Sequence, residues 1–249
     1  MSKDSCGGDA DSFRFIWVVC CFAVAAARLG VWAVQNAAKS RGKKTGQETG
    51  QGQAAQRRAA QGRDLLWLCA ALGMTAAADY YMVLYRENIR GLYCFLAVQL
   101  LYFVRLGRGS RALIGQLLVG GGAAALLRFA GVEPGLEGTL GVLYFTLFAG
   151  NIIWEIAGRG GSDRVFLAGL VLFILCDIHV GILNLGYFVK LPDLYWQWIR
   201  PYSQRALWFF YLPSQALLAV SSCYDDNNKF LNQQKGGRYD IHGNAESGS

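Results

Sequence analysis

The feature that most constrains this chain is an alternation. Long stretches almost free of charge are separated by short clusters of arginine and lysine. A helix needs roughly 20 apolar residues to cross the hydrocarbon core of a bilayer. Inside lipid the backbone must satisfy its own hydrogen bonds, which a helix does and an open strand does not. Seven such stretches can be marked, at 13–34, 64–85, 90–106, 112–130, 136–158, 164–189 and 206–222, of which the third and seventh are short. The expectation is an all-α fold, a polytopic transmembrane helix bundle of about seven spans. The second and third stretches are joined only by Arg86, Glu87, Asn88 and Ile89, which predicts an antiparallel hairpin.

Between the spans the chain changes character. Residues 1–12 form a short tail, acidic rather than basic and unlike the flank of a cleavable signal peptide. The segment 35–63 is rich in Gln, Gly, Ala, Lys and Arg, with no aromatic residue and no apolar period, and reads as a disordered basic loop. Residues 223–249 read as a disordered C-terminal tail. The membrane domain is therefore expected over 13–222. Charged residues make up 16% of the chain against about a quarter in soluble domains, so its net charge of +7 belongs to the segments between spans. Cations placed there orient helices and meet anionic headgroups; nucleic acid is not the expected partner. None of the seven cysteines forms a CxxC pair and five fall within apolar spans, as small buried hydrophobes do.

The distribution of the 24 Lys and Arg residues predicts orientation. With 35–63 in the cytoplasm, that side carries 15 of them, the other side seven, and Arg28 and Arg128 lie near span ends. The excess predicts an outward N-terminus and a cytoplasmic C-terminus. On the outer side, Tyr195, Trp196, Trp198 and Tyr202 have the composition of an interfacial aromatic belt.

Polar residues within the spans carry the most information about function. An Asp near the bilayer centre costs on the order of 3 kcal/mol even on the lenient insertion scale, so its presence points to a task. Asp79 and Asp177 are the two such residues. Gln99 and Tyr102 share a face of the third span, and Asp177, Gly181 and Asn184 share a face of the sixth. Trp208, Tyr211 and Gln215 align on the seventh, where Pro213 frees the carbonyl of Phe209. Asn151 and Glu155 share a face of the fifth. Together these describe a polar cavity inside a bundle. Taken singly, Gln99, Asn184 and Gln215 are equally well read as interhelical hydrogen-bonding groups worth about 1 kcal/mol each. His179, two residues from Asp177, points elsewhere and reads as structural. The run Gly120-Gly121-Gly122 reads as close helix packing.

The stretch from Ala78 to Leu84, with Asp79 in a small-residue setting, is followed by Arg90-Gly91, an apolar run, and Gln99 three residues before Tyr102. Together with Asp177 in the sixth span and the late stretch Phe209-Phe210-Tyr211-Leu212-Pro213-Ser214-Gln215, this resembles the YhhN, or lysoplasmalogenase-like, integral membrane family over about 64–222. Members of that family typically have eight spans, a Gly before the first Asp, and a His where Gln99 stands. The resemblance implies hydrolysis of the vinyl-ether bond of lysoplasmalogens, with Asp79 and Asp177 as the acid–base pair. Gln99, Tyr102, Tyr211, Gln215 and Asn184 would position water and head group. It implies no metal and no cofactor; the partners would be membrane lipids, and the setting a bacterial cytoplasmic membrane.

Two other functions fit the same residues. A non-enzymatic carrier would use Asp79 and Asp177 as a proton- or cation-linked site, although no internal repeat of the transporter kind is visible. An inactive relative, with Gln99 in place of a proton-transferring imidazole, would bind lipid without turnover.

Overall fold

The computed structural model describes residues 5–41, 51–85, 87–157, 164–187 and 189–242. Their backbone forms seven α-helices: α1 (Ser5–Arg41), α2 (Gln51–Asp79), α3 (Asn88–Arg105), α4 (Ser110–Phe129), α5 (Gly135–Ala157), α6 (Arg164–Asn184) and α7 (Arg200–His242). No strand occurs among the described residues. Five helical stretches, Phe15–Gln35, Ala59–Met82, Ser110–Phe129, Gly135–Ala157 and Arg164–Asn184, are long and apolar enough to cross a membrane. The chain is an all-α membrane bundle.

Two helices run further than the composition suggests. α1 continues to Arg41 and α2 begins at Gln51, so the segment expected to be a disordered loop over 35–63 is helical over 35–41 and 51–63, and residues 42–50 lie outside the described residues. Ala, Gln, Lys and Arg are good helix formers, and an established helix gains a hydrogen bond with each added residue. Lacking an apolar face precludes a packed core, not a helix. For the same reason α7 extends to His242 across most of the expected disordered tail, with no proline after Pro213 to stop it. Residues 1–4 and 243–249 of the two tails lie outside the described residues.

Six helices close a ring. α1 packs on α2, α2 on α3, α3 on α5, α5 on α6, α6 on α7, and α7 returns to α1. The expected α2–α3 hairpin forms, with Gly91 letting α3 come against Met82 and the carbonyl of Ala78. α4 stands outside the ring and, among the described residues, its one helix neighbour is α5. The turns that redirect the chain use glycine where positive φ is required. At the end of α4, Gly131 (φ 80) donates to the Arg128 carbonyl and Val132 to that of Leu127, a Schellman motif.

The ring interior is apolar and closely packed. Leu68, Leu72, Val98, Tyr102, Phe148, Phe166, Leu170, Phe173 and Leu218 are all fully or almost fully buried. Gly169 of α6 lies directly against Leu218 of α7, and a Cβ there would stand 2.9 Å from its side chain. At the far end of α6 the segment 189–199 folds back, and the Tyr195 hydroxyl donates to the Ile182 carbonyl at 2.5 Å, satisfying one of the helix's free terminal acceptors. Of the expected aromatic belt, Tyr195 is thus buried against α6, while Trp196, Trp198 and Tyr202 remain exposed.

Candidate active site

Asp79 and Asp177, 98 residues apart in sequence, come together inside the ring; both are buried, and each lies within the other's electrostatic reach. Asp79 is the last α-helical residue of α2. Immediately after it the backbone widens into a π-helical turn over Tyr80–Leu84. Such turns free backbone geometry locally and recur at functional positions. Asp177 lies within α6, one residue after the buried Cys176.

Each carboxyl has its own tyrosine. The Tyr211 hydroxyl of α7 donates to Oδ2 of Asp79, and the Tyr144 hydroxyl of α5 donates to Oδ2 of Asp177. Four helices thus supply one two-carboxyl, two-hydroxyl cluster. Aromatic rings wall it in. Phe173 packs edge-on against Tyr211 at 5.9 Å and against Phe148 at 5.2 Å, Phe95 lies 5.9 Å from Tyr144, and Trp208 5.8 Å from Tyr211. In so apolar a shell a polar group without a partner is costly, so the tyrosine–aspartate bonds hold both carboxyls in fixed orientation.

A second line of polar groups leads from the cluster toward one end of the bundle. Gln99 is fully buried on α3, with its side-chain amide facing the Tyr144 hydroxyl. Its Oε1 and its backbone carbonyl both accept from Asn151 Nδ2 of α5, at 3.2 and 3.0 Å. Asn151 Oδ1 in turn accepts from Arg108 Nη1 at 3.2 Å. Asn151 therefore fixes which way the Gln99 amide points, and presents its donor end toward the carboxyl cluster.

The other residues singled out in the sequence are placed differently. Gln215 is fully buried one turn beyond Tyr211; its Nε2 reaches Ser214 Oγ at 3.5 Å and its Oε1 has no hydrogen-bond partner. Tyr102 is buried, but beside Phe166, whose position 11 residues before Asp177 on α6 sets it about 16 Å away along the helix. Asn184 bonds the Val180 carbonyl of its own helix at 2.9 Å and is not brought to the cluster. His179 stacks on Phe210 with ring centroids 5.7 Å apart, away from Asp177 as its spacing suggested. Near Pro213 the bonded carbonyl is that of Leu212, which accepts from the Trp17 indole N–H at 3.1 Å and ties α1 to α7. Among the described residues no group of three His, Cys, Asp or Glu side chains comes together as a metal would need.

Sequence reasoning missed Tyr144 and undervalued Asn151. The signal was present: Tyr144, Phe148 and Asn151 follow the i, i+4, i+7 spacing of one helix face. A tyrosine among Leu143 and Phe145 passes for one more apolar residue until its hydroxyl finds a carboxylate.

Compared with known protein families, with curated proteins and with solved structures, the chain gives no match. The family reading therefore rests on the residues that carry the resemblance and on the chemistry of the cluster.

Proposed function

We propose that this chain is a membrane-embedded hydrolase of the lysoplasmalogenase type, cleaving the vinyl-ether bond of a lysophospholipid with Asp79 and Asp177 as its acid–base pair. The observation that carries the reading is the meeting of two carboxyls from distant spans, each held by its own tyrosine, inside an apolar bundle. A structural role rarely calls for two such groups in one place, since each is expensive to bury.

The chemistry needs both. One aspartic acid delivers its proton to the vinyl carbon that does not carry the ether oxygen. This leaves an oxocarbenium ion, to which the second aspartate, charged, offers electrostatic stabilisation and a base for the incoming water. Water adds to the cationic carbon and its proton passes to the carboxylate. In the collapse of the resulting hemiacetal the second aspartic acid gives its proton to the leaving ether oxygen and the first aspartate takes the hydroxyl proton, releasing a fatty aldehyde and the glycerophospho alcohol, so one water is consumed and both carboxyls return to their starting state. The tyrosine hydroxyls fix Oδ2 of each carboxyl and leave Oδ1 for proton transfer. The Gln99 amide, aimed by Asn151, supplies a donor for water or substrate oxygen. It orients; it does not transfer a proton as an imidazole would. In this reading seven spans place the N-terminus outside and the C-terminus in the cytoplasm of a bacterial membrane, in accord with the Lys and Arg distribution.

The test is to supply the purified protein with vinyl-ether and ester lysophospholipids and to measure aldehyde and fatty acid. Aldehyde release that Asp79→Asn and Asp177→Asn both abolish establishes the reaction. A folded wild type that releases neither product from either lipid removes it.

A further inference from the structure

Arg105 and Arg108 lie three residues apart at one end of the ring, and their surroundings differ in kind. Arg105 is neutralised: its Nε and Nη2 donate to the two carboxyl oxygens of Asp64 at 2.8 and 3.0 Å. Among the described residues Arg108 has only neutral partners. Its Nη1 donates to Asn151 Oδ1 at 3.2 Å, and the Gln116 amide, set with its oxygen toward the guanidinium, accepts from Nη1 and Nη2 at 2.8 and 3.2 Å. The rings of Phe103 and Trp154 lie 4.8 and 4.9 Å from its guanidinium carbon, and its Nε is buried and donates to nothing. The side chain is held in place and partly stripped of water without being neutralised, so an anion reaching it would gain charge-assisted hydrogen bonds at little ordering cost.

Beside this cation the seam between α4 and α5 opens into a groove of about 540 Å³. Ala112, Gln116 and Val119 form one wall and Phe145, Ala149 and Ile153 the other. Gln116 both lines the groove and bonds Arg108, so it links the groove to the guanidinium. From Ala112 to Val119 it runs about 10 Å along α4, at 1.5 Å per residue. Its walls are apolar for most of that length. An apolar trough of this size, joined through Gln116 to a cation with no acidic partner among the described residues, is complementary to an amphiphile with an acidic head and a hydrocarbon tail.

We propose that one anionic phospholipid binds here, with its phosphate on Arg108 and one acyl chain in the α4–α5 groove. Selection falls on net negative head groups because a zwitterionic lipid carries its own cation to the same place. Arg111, exposed on the first turn of α4, adds to the positive field. None of the residues lining the groove belongs to the Asp79–Asp177 cluster, so the site does not depend on the hydrolase reading.

The experiment titrates the full-length protein, in a neutral detergent, with phosphatidylglycerol or phosphatidylcholine and counts bound lipid by native mass spectrometry. The wild type should hold phosphatidylglycerol at least about tenfold tighter, because the choline head group brings a second cation to Arg108. Arg108→Gln keeps a hydrogen-bonding amide, removes the charge and should abolish that preference. Gly115 has open space around the position of a Cβ. Gly115→Leu should therefore fill the groove without a clash, lowering phosphatidylglycerol affinity about fivefold with the melting temperature unchanged. Equal retention of the two lipids by the wild type, or an unchanged preference in Arg108→Gln, overturns the proposal. So does wild-type binding by Gly115→Leu, or full displacement of the lipid by glycerol phosphate, since either leaves the acyl chain no part in binding.

Discussion

α4 and α6 are nearly the same length, 20 and 21 residues, and both are apolar enough to cross a membrane. They end in opposite places. α6 lies in the ring and buries Phe166, Gly169, Leu170, Phe173, Cys176 and Asp177, whereas the one residue α4 buries is Gly120. Apolarity did not decide between them, because lipid tails accept leucine as readily as a protein interior does. What α6 has within its span and α4 lacks is a carboxyl, a group the bilayer will not accept. Asp177 must be turned inward to find Tyr144, and the close approach of Gly169 to Leu218 then locks α6 onto α7. In this bundle buried polar groups mark the inside, and α4, whose one mid-span polar residue Gln116 turns to Arg108, is left at the margin.

That contrast is exposed to several tests. The largest effects should fall on the carboxyls. Asp79→Asn and Asp177→Asn should each lower aldehyde release by at least about 100-fold, the usual contribution of general acid–base catalysis, while the protein still elutes as a folded species because an amide oxygen accepts from the tyrosine as before. Gly169→Val should cost about 2–3 kcal/mol in reversible unfolding in detergent, since its methyls would enter the space of Leu218 and its backbone N–H. A variant as stable as the parent would mean that the α6–α7 seam is looser than described. Asn151→Ala leaves the Gln99 amide oxygen without its donor and should cost about 1–2 kcal/mol in the same measurement. Tyr144→Phe and Tyr211→Phe should each slow aldehyde release about tenfold, or 1.4 kcal/mol, by loosening one carboxyl. A larger loss on either side would identify the more tightly constrained carboxyl of the pair. Smallest of all, Leu118→Ala, at a residue 72% exposed on α4, should change stability by no more than about 0.5 kcal/mol and activity not at all.

How much of this could be read beforehand follows the same division. Five of the seven expected span positions were legible because the bilayer imposes length and apolarity on a crossing helix, whereas the short third and seventh stretches form helices that are not among those five; Asp79 and Asp177 were conspicuous because lipid makes a carboxyl costly. Which helices touch was not legible. Nothing in the composition of Ser110–Phe129 sets it outside a ring of six, since that depends on whether neighbouring surfaces fit, and fit is a property of pairs. Tyr102 shows the limit on a single face. Its three-residue spacing from Gln99 put both on one side of α3, yet the rise of the helix carries Tyr102 into the Phe166 layer. Helical spacing reports direction well and depth only by counting turns. Gln99 itself was recognised as buried and polar, but the bond that orients it comes from Asn151 across 52 residues of chain.

The ring is closed by its two ends, α1 against α7, with the Trp17 indole on the Leu212 carbonyl. During synthesis the first helix must therefore wait in the bilayer until the last has been inserted. Asp79 waits with it: its tyrosine, Tyr211, is translated 132 residues later. Until then an unpartnered carboxyl is held near lipid, and the chain is most exposed to quality-control proteases and to misassembly over that interval. Truncation before α7 would leave a protein with nearly all of its apolar surface and no means of completing its interior, one that a cell should clear rather than keep.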